Sequence, residues 1–317
     1  DGNGHGSFAY APPSGFLALC SQNLPDVDII DGTEHFNTVL YTGDGATKAG
    51  GGQAISAVGF QPSWTWIKNR GAAQSHFLND AVRGAGKNLF TNSTATENVS
   101  GNAGDGFSAF GSDGFTVNST YGSSDTNTGT NSNSNTYVAW NWLAGTAFSN
   151  DASATGVGTI DSEGQANTKA GFSIVKYTGN GATGATVAHG LSSALQFYII
   201  KNRDATFSWT GYHEALGAGK YLQLDSSSAA SSTNDWNSTA PTSSVFTVSG
   251  DEGRINKNGT DYIAYCFHSV LGYSKVGSYI GNGSTDGTFV FTGFRPAWIM
   301  FRSSGVGHWI IFDDVRH

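Results

Sequence analysis

"VGFQPSWTWIKNR" (residues 58–70) sets the large side chains of Trp64, Trp66 and Ile67 on both faces of a short extended segment. A strand with one wet face alternates apolar and polar residues, so this one is expected to be covered on both sides, at the centre of a layered β structure. The chain writes the segment again as "HGLSSALQFYIIKNR" (189–203) and once more as "TGFRPAWIMFRSS" (292–304). Trp64, Trp66, Tyr198 and Trp298 are accordingly read as core rather than as platforms for a ligand.

Working outward, each copy follows a strand-to-turn phrase: "HFNTVLYTGDGATKAG" (35–50), "GFSIVKYTGNGATGAT" (171–186) and "YSKVGSYIGNGSTDGT" (273–288). Asp44-Gly45, Asn180-Gly181 and Asn282-Gly283 tolerate positive φ, so each is read first as the reversal of a strand ending at Tyr41, Tyr177 or Tyr279. Downstream stand "HFLNDAVRGAGKNLF" (76–90), "WTGYHEALGAGKYLQL" (209–224) and "HWIIFDDVRH" (308–317), which align Asp80, His213 and Asp313. "GFTVN" (114–118) answers to "VFTVS" (245–249), and "TYVAWNW" (136–142) to "DYIAYCF" (261–267).

The order is kept, so the blocks are duplicates, and no segment carries a sustained 3.6-residue period. The expected fold is all-β, with tandem antiparallel β-sandwich repeats of jelly-roll or lectin-like type. Residues 35–145 form repeat 1, 146–170 a linker or hairpin, 171–272 repeat 2 and 273–317 a partial repeat 3. Residues 1–34 are an N-terminal extension, and its "GFLALC" (15–20) resembles "YIAYCF" (262–267), as if it closed an upstream domain. The low-complexity run 121–135 reads as a solvent loop. A start at Asp1 with Met300 as the sole Met suggests a processed product or a piece of a longer protein.

Gly occupies 44 of 317 places while charged residues make up 13%, against roughly a quarter in ordinary domains. Such a surface is solvated by Ser, Thr, Asn and backbone. Sixteen basic groups are scattered among 24 acidic ones for a net charge of -8, which excludes a phosphate-binding face, so no nucleic acid is expected. No apolar run is long enough for a membrane helix. Cys20 and Cys266 each lie in an apolar run and read as free thiols.

No HxH, HExxH or clustered Cys/His spacing occurs, so neither a metal nor a cofactor is expected. Paired carboxylates for glycoside hydrolysis would come from Asp80, from Asp313 with Asp314, or from Asp251 with Glu252. His213 at the position of Asp80 argues against a common acid, and the chain is read as not an enzyme. Glycan binding needs only a ring to stack on a sugar face and polar groups for its hydroxyls. Trp209 and Trp236, with Asn234 and Asp235, are the candidates because they stand in turn-rich sequence; the alternative is that these indoles close loops over the core.

The ordered set "FAYAPPSGFLALCSQNLP", "HFNTVLYTGDG", "GFQPSWTWIKNR", "TYVAWNW", "APTSSVFTV", "YIAYCF" and "YIGNGSTDGTFVFTGFRPAWIMFR" is similar to a repeated domain of large virion proteins of tailed, especially marine, bacteriophages. There it follows a SPRY-type or lectin-like domain. The resemblance runs from Phe8 onward and brings no catalytic residues. It implies a virion structural protein of a tail fibre, tail tip or head decoration, whose partners are other virion proteins. A homo-oligomer, with a trimer favoured, and loops that adsorb to host-surface polysaccharide are further expectations. Two alternatives are a carbohydrate-binding module of a secreted bacterial adhesin or surface-layer protein, and a fibre-associated polysaccharide hydrolase.

Overall fold

The computed structural model describes all residues except 19, 24–26, 98–104, 120–128, 251–252 and 317. Block 1 contributes β1 (Phe36–Thr42), β2 (Gln53–Ile55), β3 (Trp64–Asn69), β4 (Phe77–Asp80), β5 (Leu89–Phe90), β6 (Phe107–Gly111), β7 (Gly114–Val117) and β8 (Thr136–Trp142). A hairpin follows, β9 (Thr146–Asn150) and β10 (Ser162–Asn167), with the single-turn helix α1 (Ala152–Thr155) between its strands. Block 2 supplies β11 (Phe172–Thr178), β12 (Ala185–Ala188), β13 (Phe197–Asn202), β14 (Thr210–His213), β15 (Lys220–Gln223), β16 (Ser231–Ser232), β17 (Val245–Val248) and β18 (Asp261–Phe267). Block 3 adds β19 (Trp298–Phe301) and β20 (Ile310–Asp313). The fold is all-β, and no described helix is long and apolar enough to cross a membrane.

The duplication is carried into topology. Block 1 orders its larger sheet β1-β8-β3-β4-β5 over a smaller sheet β2-β7-β6; block 2 orders β11-β18-β13-β14-β15 over β12-β17. The β10-β9 hairpin extends the second sheet along its β11 edge. Register is preserved as well: Trp64 faces Trp142 across β3 and β8, and Phe197 faces Phe267 across β13 and β18.

Because side chains alternate across a strand, β3 and β13 each feed two cores. Ile67 joins Phe77, Phe107 and Tyr137 inside the first sandwich, while Tyr198 and Ile200 join Trp236 and Phe246 inside the second. The opposite faces, Trp64 and Trp66 with Phe197 and Ile199, meet in a third core between the two large sheets. Trp298 and Met300 of β19, with Trp309 and Ile311, pack against it as well. Trp64 stacks on Tyr265 at 4.8 Å, Trp142 meets Trp298 edge-on at 5.3 Å, and Phe197 lies 6.3 Å from Trp309. The consecutive apolar positions in the sequence therefore record a sheet sandwiched on both faces, with three blocks converging on one aromatic centre.

Candidate functional site

The turn phrase folds alike in all three blocks. Gly45, Gly181 and Gly283 sit at φ +73°, +70° and +68°, where a Cβ is disfavoured. The preceding carboxylate or amide oxygen accepts the amide two residues on, from Ala46, Ala182 and Ser284. In blocks 1 and 2 a buried asparagine locks the turn: Asn131 receives the amide of Asp44, and Asn256 that of Asn180. The Tyr41 hydroxyl donates to the Thr130 carbonyl at 2.6 Å, and Tyr177 to that of Ile255 at 2.7 Å. Residues 129–131, expected in a solvent loop, are thus buried, because their polar groups complete this clasp. The signal for it was present in the sequence as an Asn six residues ahead of Tyr137 and of Tyr262.

The two tryptophans expected to face a glycan do not present a ring. Trp209 and Trp236 are both fully enclosed. The Trp209 indole donates to the Phe90 carbonyl of block 1, and Trp236 lies edge-on to Tyr198 and Tyr212 while donating to the Lys220 carbonyl. Each closes a loop over a core, since an indole that finds a carbonyl partner gains more by burial than by facing water. Asp235 is buried in an ion pair with Arg254 at 3.1 Å, and Arg254 in turn covers the Tyr221 ring. Asn234 alone of the four is exposed, beside Asn237 and Ser238, both at positive φ.

Two of the candidate carboxylates, Asp80 and Asp313, serve contacts between blocks. Asp80 accepts the Arg83 guanidinium at 2.5 Å and the Tyr265 hydroxyl at 2.6 Å, all buried. Asp313 repeats the arrangement with Arg316 at 2.5 Å and the Trp140 indole at 3.0 Å. Burial alone would push the Asp313 carboxyl up, but the Arg316 amide, the Trp140 indole and the Arg316 charge outweigh it and hold the group below its usual value. Tyr265 and Trp140 occupy equivalent positions in β18 and β8, so block 1 grips block 2 as block 3 grips block 1. Trp209 and Trp309 are equally matched, donating to the carbonyls of Phe90 and Gln223, one block back in each case. Lys201 reaches the Thr94 carbonyl of block 1, and Arg302 those of Gln223 and Ser226 of block 2. Contacts running in one cyclic sense give the three blocks an approximate threefold relation within a single chain. Asp251 and Glu252 lie outside the described residues.

A polar cleft of about 330 Å³ opens at the end of β10, β11 and β18, lined by Asn150, Asp161, Glu163, Lys176, Arg203 and Asp261 among others. Glu163 pairs with Lys176 at 2.5 Å and Asp261 with Arg203 at 3.6 Å, the Thr178 hydroxyl donates to Asp261, and Asp151 and Asp161 accept the backbone amides of Ser153 and Ala152. The cleft offers hydrogen-bonding groups for a polyol but no open aromatic face. Among the described residues, no three His, Cys, Asp or Glu side chains converge as metal ligands would.

The family model described as "domain of unknown function (DUF7483)" matches residues 31–317. The chain belongs to this family. No curated protein and no solved structure matches it. The match spans all three blocks and starts inside the extension.

Two histidines, His189 buried and His76 partly buried, give the DUF7483 domain an acid limit. Burial holds His189 at about 4, with His268 adding to the effect, and holds His76 at about 4, with Lys68 and Arg316 adding to it. Between there and the unfolded value near 6.5, the unfolded chain binds protons that the native state refuses. Their contribution to stability is therefore complete above that value and is lost as pH falls to about 4. The loss is up to about 3 kcal/mol for each ring. Thermal melts from pH 7.5 to 4 should show a steep fall that flattens in a His189→Gln variant; identical slopes would remove His189 as a cause.

Proposed function

We propose that this DUF7483 domain is a rigid, non-enzymatic building block of a tailed-virus particle, in a tail fibre, tail tip or head decoration. The observation that carries the proposal is the three-block body itself. Many of its aromatic side chains, with Asp80 and Asp313, are used to weld duplicated sandwiches together, which suits a part that transmits load and holds shape. The likeness of the repeated segments to large virion proteins supports the same reading. The polar cleft and the exposed loop around Asn234 are the surfaces this proposal assigns to adsorption on host polysaccharide.

Gold-labelled antibody raised against the purified chain should decorate intact particles of the virus that encodes it, at one fixed place on head or tail. Particles without label, with the protein found instead on a bacterial surface, would favour the secreted adhesin module. Homo-oligomerisation, with a trimer favoured, belongs to the same proposal, and a monomer in light scattering at micromolar concentration counts against it.

A further inference from the structure

Blocks 1 and 2 part company at one place on the surface where they meet. A pocket of about 380 Å³ opens there between Thr94 of block 1 and Thr206, Phe207, Ser208, Gln223 and Arg254 of block 2. Lys68 and Lys201 head matching segments, so Thr206 and Phe207 stand where block 1 has Ala73 and Gln74. Counted back from Asn131 and Asn256, Arg254 takes the place of Gly129; counted on from the two "GAGK" turns, Gln223 takes that of Phe90. The framework beneath is the same, since Lys68 bonds the Gln74 carbonyl at 2.8 Å and Lys201 the Phe207 carbonyl at 2.6 Å. Block 1 folds alike without these four side chains, so the fold itself does not call for them.

The walls of the pocket are held from behind. The buried Lys201 ammonium also donates to the Thr94 carbonyl at 2.9 Å and so ties one wall to the other. Glu97 anchors the Thr94 segment on Arg203 at 2.8 Å. The Phe207 ring rests on Gly253, where a Cβ would collide with it. Arg254 is fixed by Asp235 at 3.1 Å and covers the Tyr221 ring at 5.0 Å. By contrast, no hydrogen bond among the described residues engages the hydroxyls of Thr94, Thr206 and Ser208 or the side-chain amide of Gln223. A ring and four open polar groups thus line a space whose shape is set in advance, which keeps the ordering cost of binding low.

We propose that this pocket binds a neutral hexose unit of a polysaccharide, laid against the Phe207 ring with its hydroxyls bonded by Thr94, Thr206, Ser208 and Gln223. An aromatic ring takes the apolar face of a sugar, and a few placed polar groups fix its orientation. Charge selects the class. Arg254 is the sole charged group among the six, and Asp235 already offsets it. A uronic-acid carboxylate could claim Arg254 only by leaving the buried Asp235 without its counter-charge, which is costly. A neutral sugar leaves that pair intact. The inference adds a stacking site to the adsorption reading and rests on that reading only for the source of the sugar.

Saturation-transfer NMR of the full chain with maltohexaose, cellohexaose, mannohexaose and galactohexaose, and with hexagalacturonate as the charged control, tests this. At least one neutral hexasaccharide should show saturable binding, and hexagalacturonate should show none. Phe207→Gln, which installs the residue block 1 uses at this place, should weaken that binding about tenfold. Thr206→Ala changes an exposed side chain to the block 1 residue and should weaken it about threefold with an unchanged melting temperature, so the test survives even if Phe207→Gln folds poorly. Binding to none of the neutral sugars, binding that neither variant alters, or binding lost in Asn234→Ala while Phe207→Gln keeps it would overturn the proposal. Equal or tighter binding of hexagalacturonate would overturn it as well. Sugar binding by the purified chain and antibody labelling of particles are separate readouts, so failure of the one is distinguishable from failure of the other.

Discussion

Replacing Trp64 with alanine is expected to lower the free energy of unfolding by about 3–5 kcal/mol. The ring is 2% exposed and lies 4.3 Å from Trp142, 4.8 Å from Tyr265 and 5.5 Å from Phe172. Removing it deletes the transfer energy of a large aromatic surface and opens a cavity that three rings on two sheets cannot close without leaving their own partners. Two of those rings belong to block 2, so the loss should appear in both sandwiches together. Urea unfolding followed by far-ultraviolet circular dichroism and by tryptophan fluorescence should shift to one common lower midpoint. A change below about 1 kcal/mol, or a second sandwich that melts as in the parent, would mean that the blocks do not share a core.

Asp80→Ala is expected to cost a similar amount, about 3–5 kcal/mol, for an electrostatic reason. Arg83 is fully buried and stays charged; without Asp80 it keeps Glu97 at 3.1 Å and the carbonyls of Leu78 and Lys87, with its nearest counter-charge gone. Tyr265→Phe removes the hydroxyl's bond to the same carboxylate and its longer one from Arg83 at 3.4 Å but strands no charge, and should cost less, about 1–3 kcal/mol. The informative comparison is the double change Asp80→Leu with Arg83→Met. An apolar pair of similar size removes the stranded charge and should recover most of the loss. If the double variant is no more stable than Asp80→Ala, the penalty comes from packing and the ionic account is wrong.

The strands were legible because "SWTWIKNR" and "QFYIIKNR" are extended segments with large residues on both faces, and the turns because each phrase ends in a pair that accepts positive φ. The buried asparagines were less so. Asn131 sits in a run of Ser, Thr and Asn that looks like solvent loop, and only its distance from Tyr137, repeated at Asn256 and Tyr262, marks it. Trp209 and Trp236 misled for a related reason: local sequence rich in turn residues says that a loop is present, and it does not say which way the indole points. The alignment placed Asp80, His213 and Asp313 at equivalent positions, while the role of the two aspartates as grips on the next block needed a partner, Tyr265 or Trp140, more than 170 residues away.

Local pattern alone determined that the chain folds as duplicated β-sandwiches with strands covered on both faces, because strand period, turn chemistry and repeat order are written in neighbouring residues. How those sandwiches meet was decided only in three dimensions. The cyclic grips and the shared aromatic centre depend on which far-separated side chains arrive opposite one another. No run of residues encodes that meeting, since its energy is realised only when whole sheets pack.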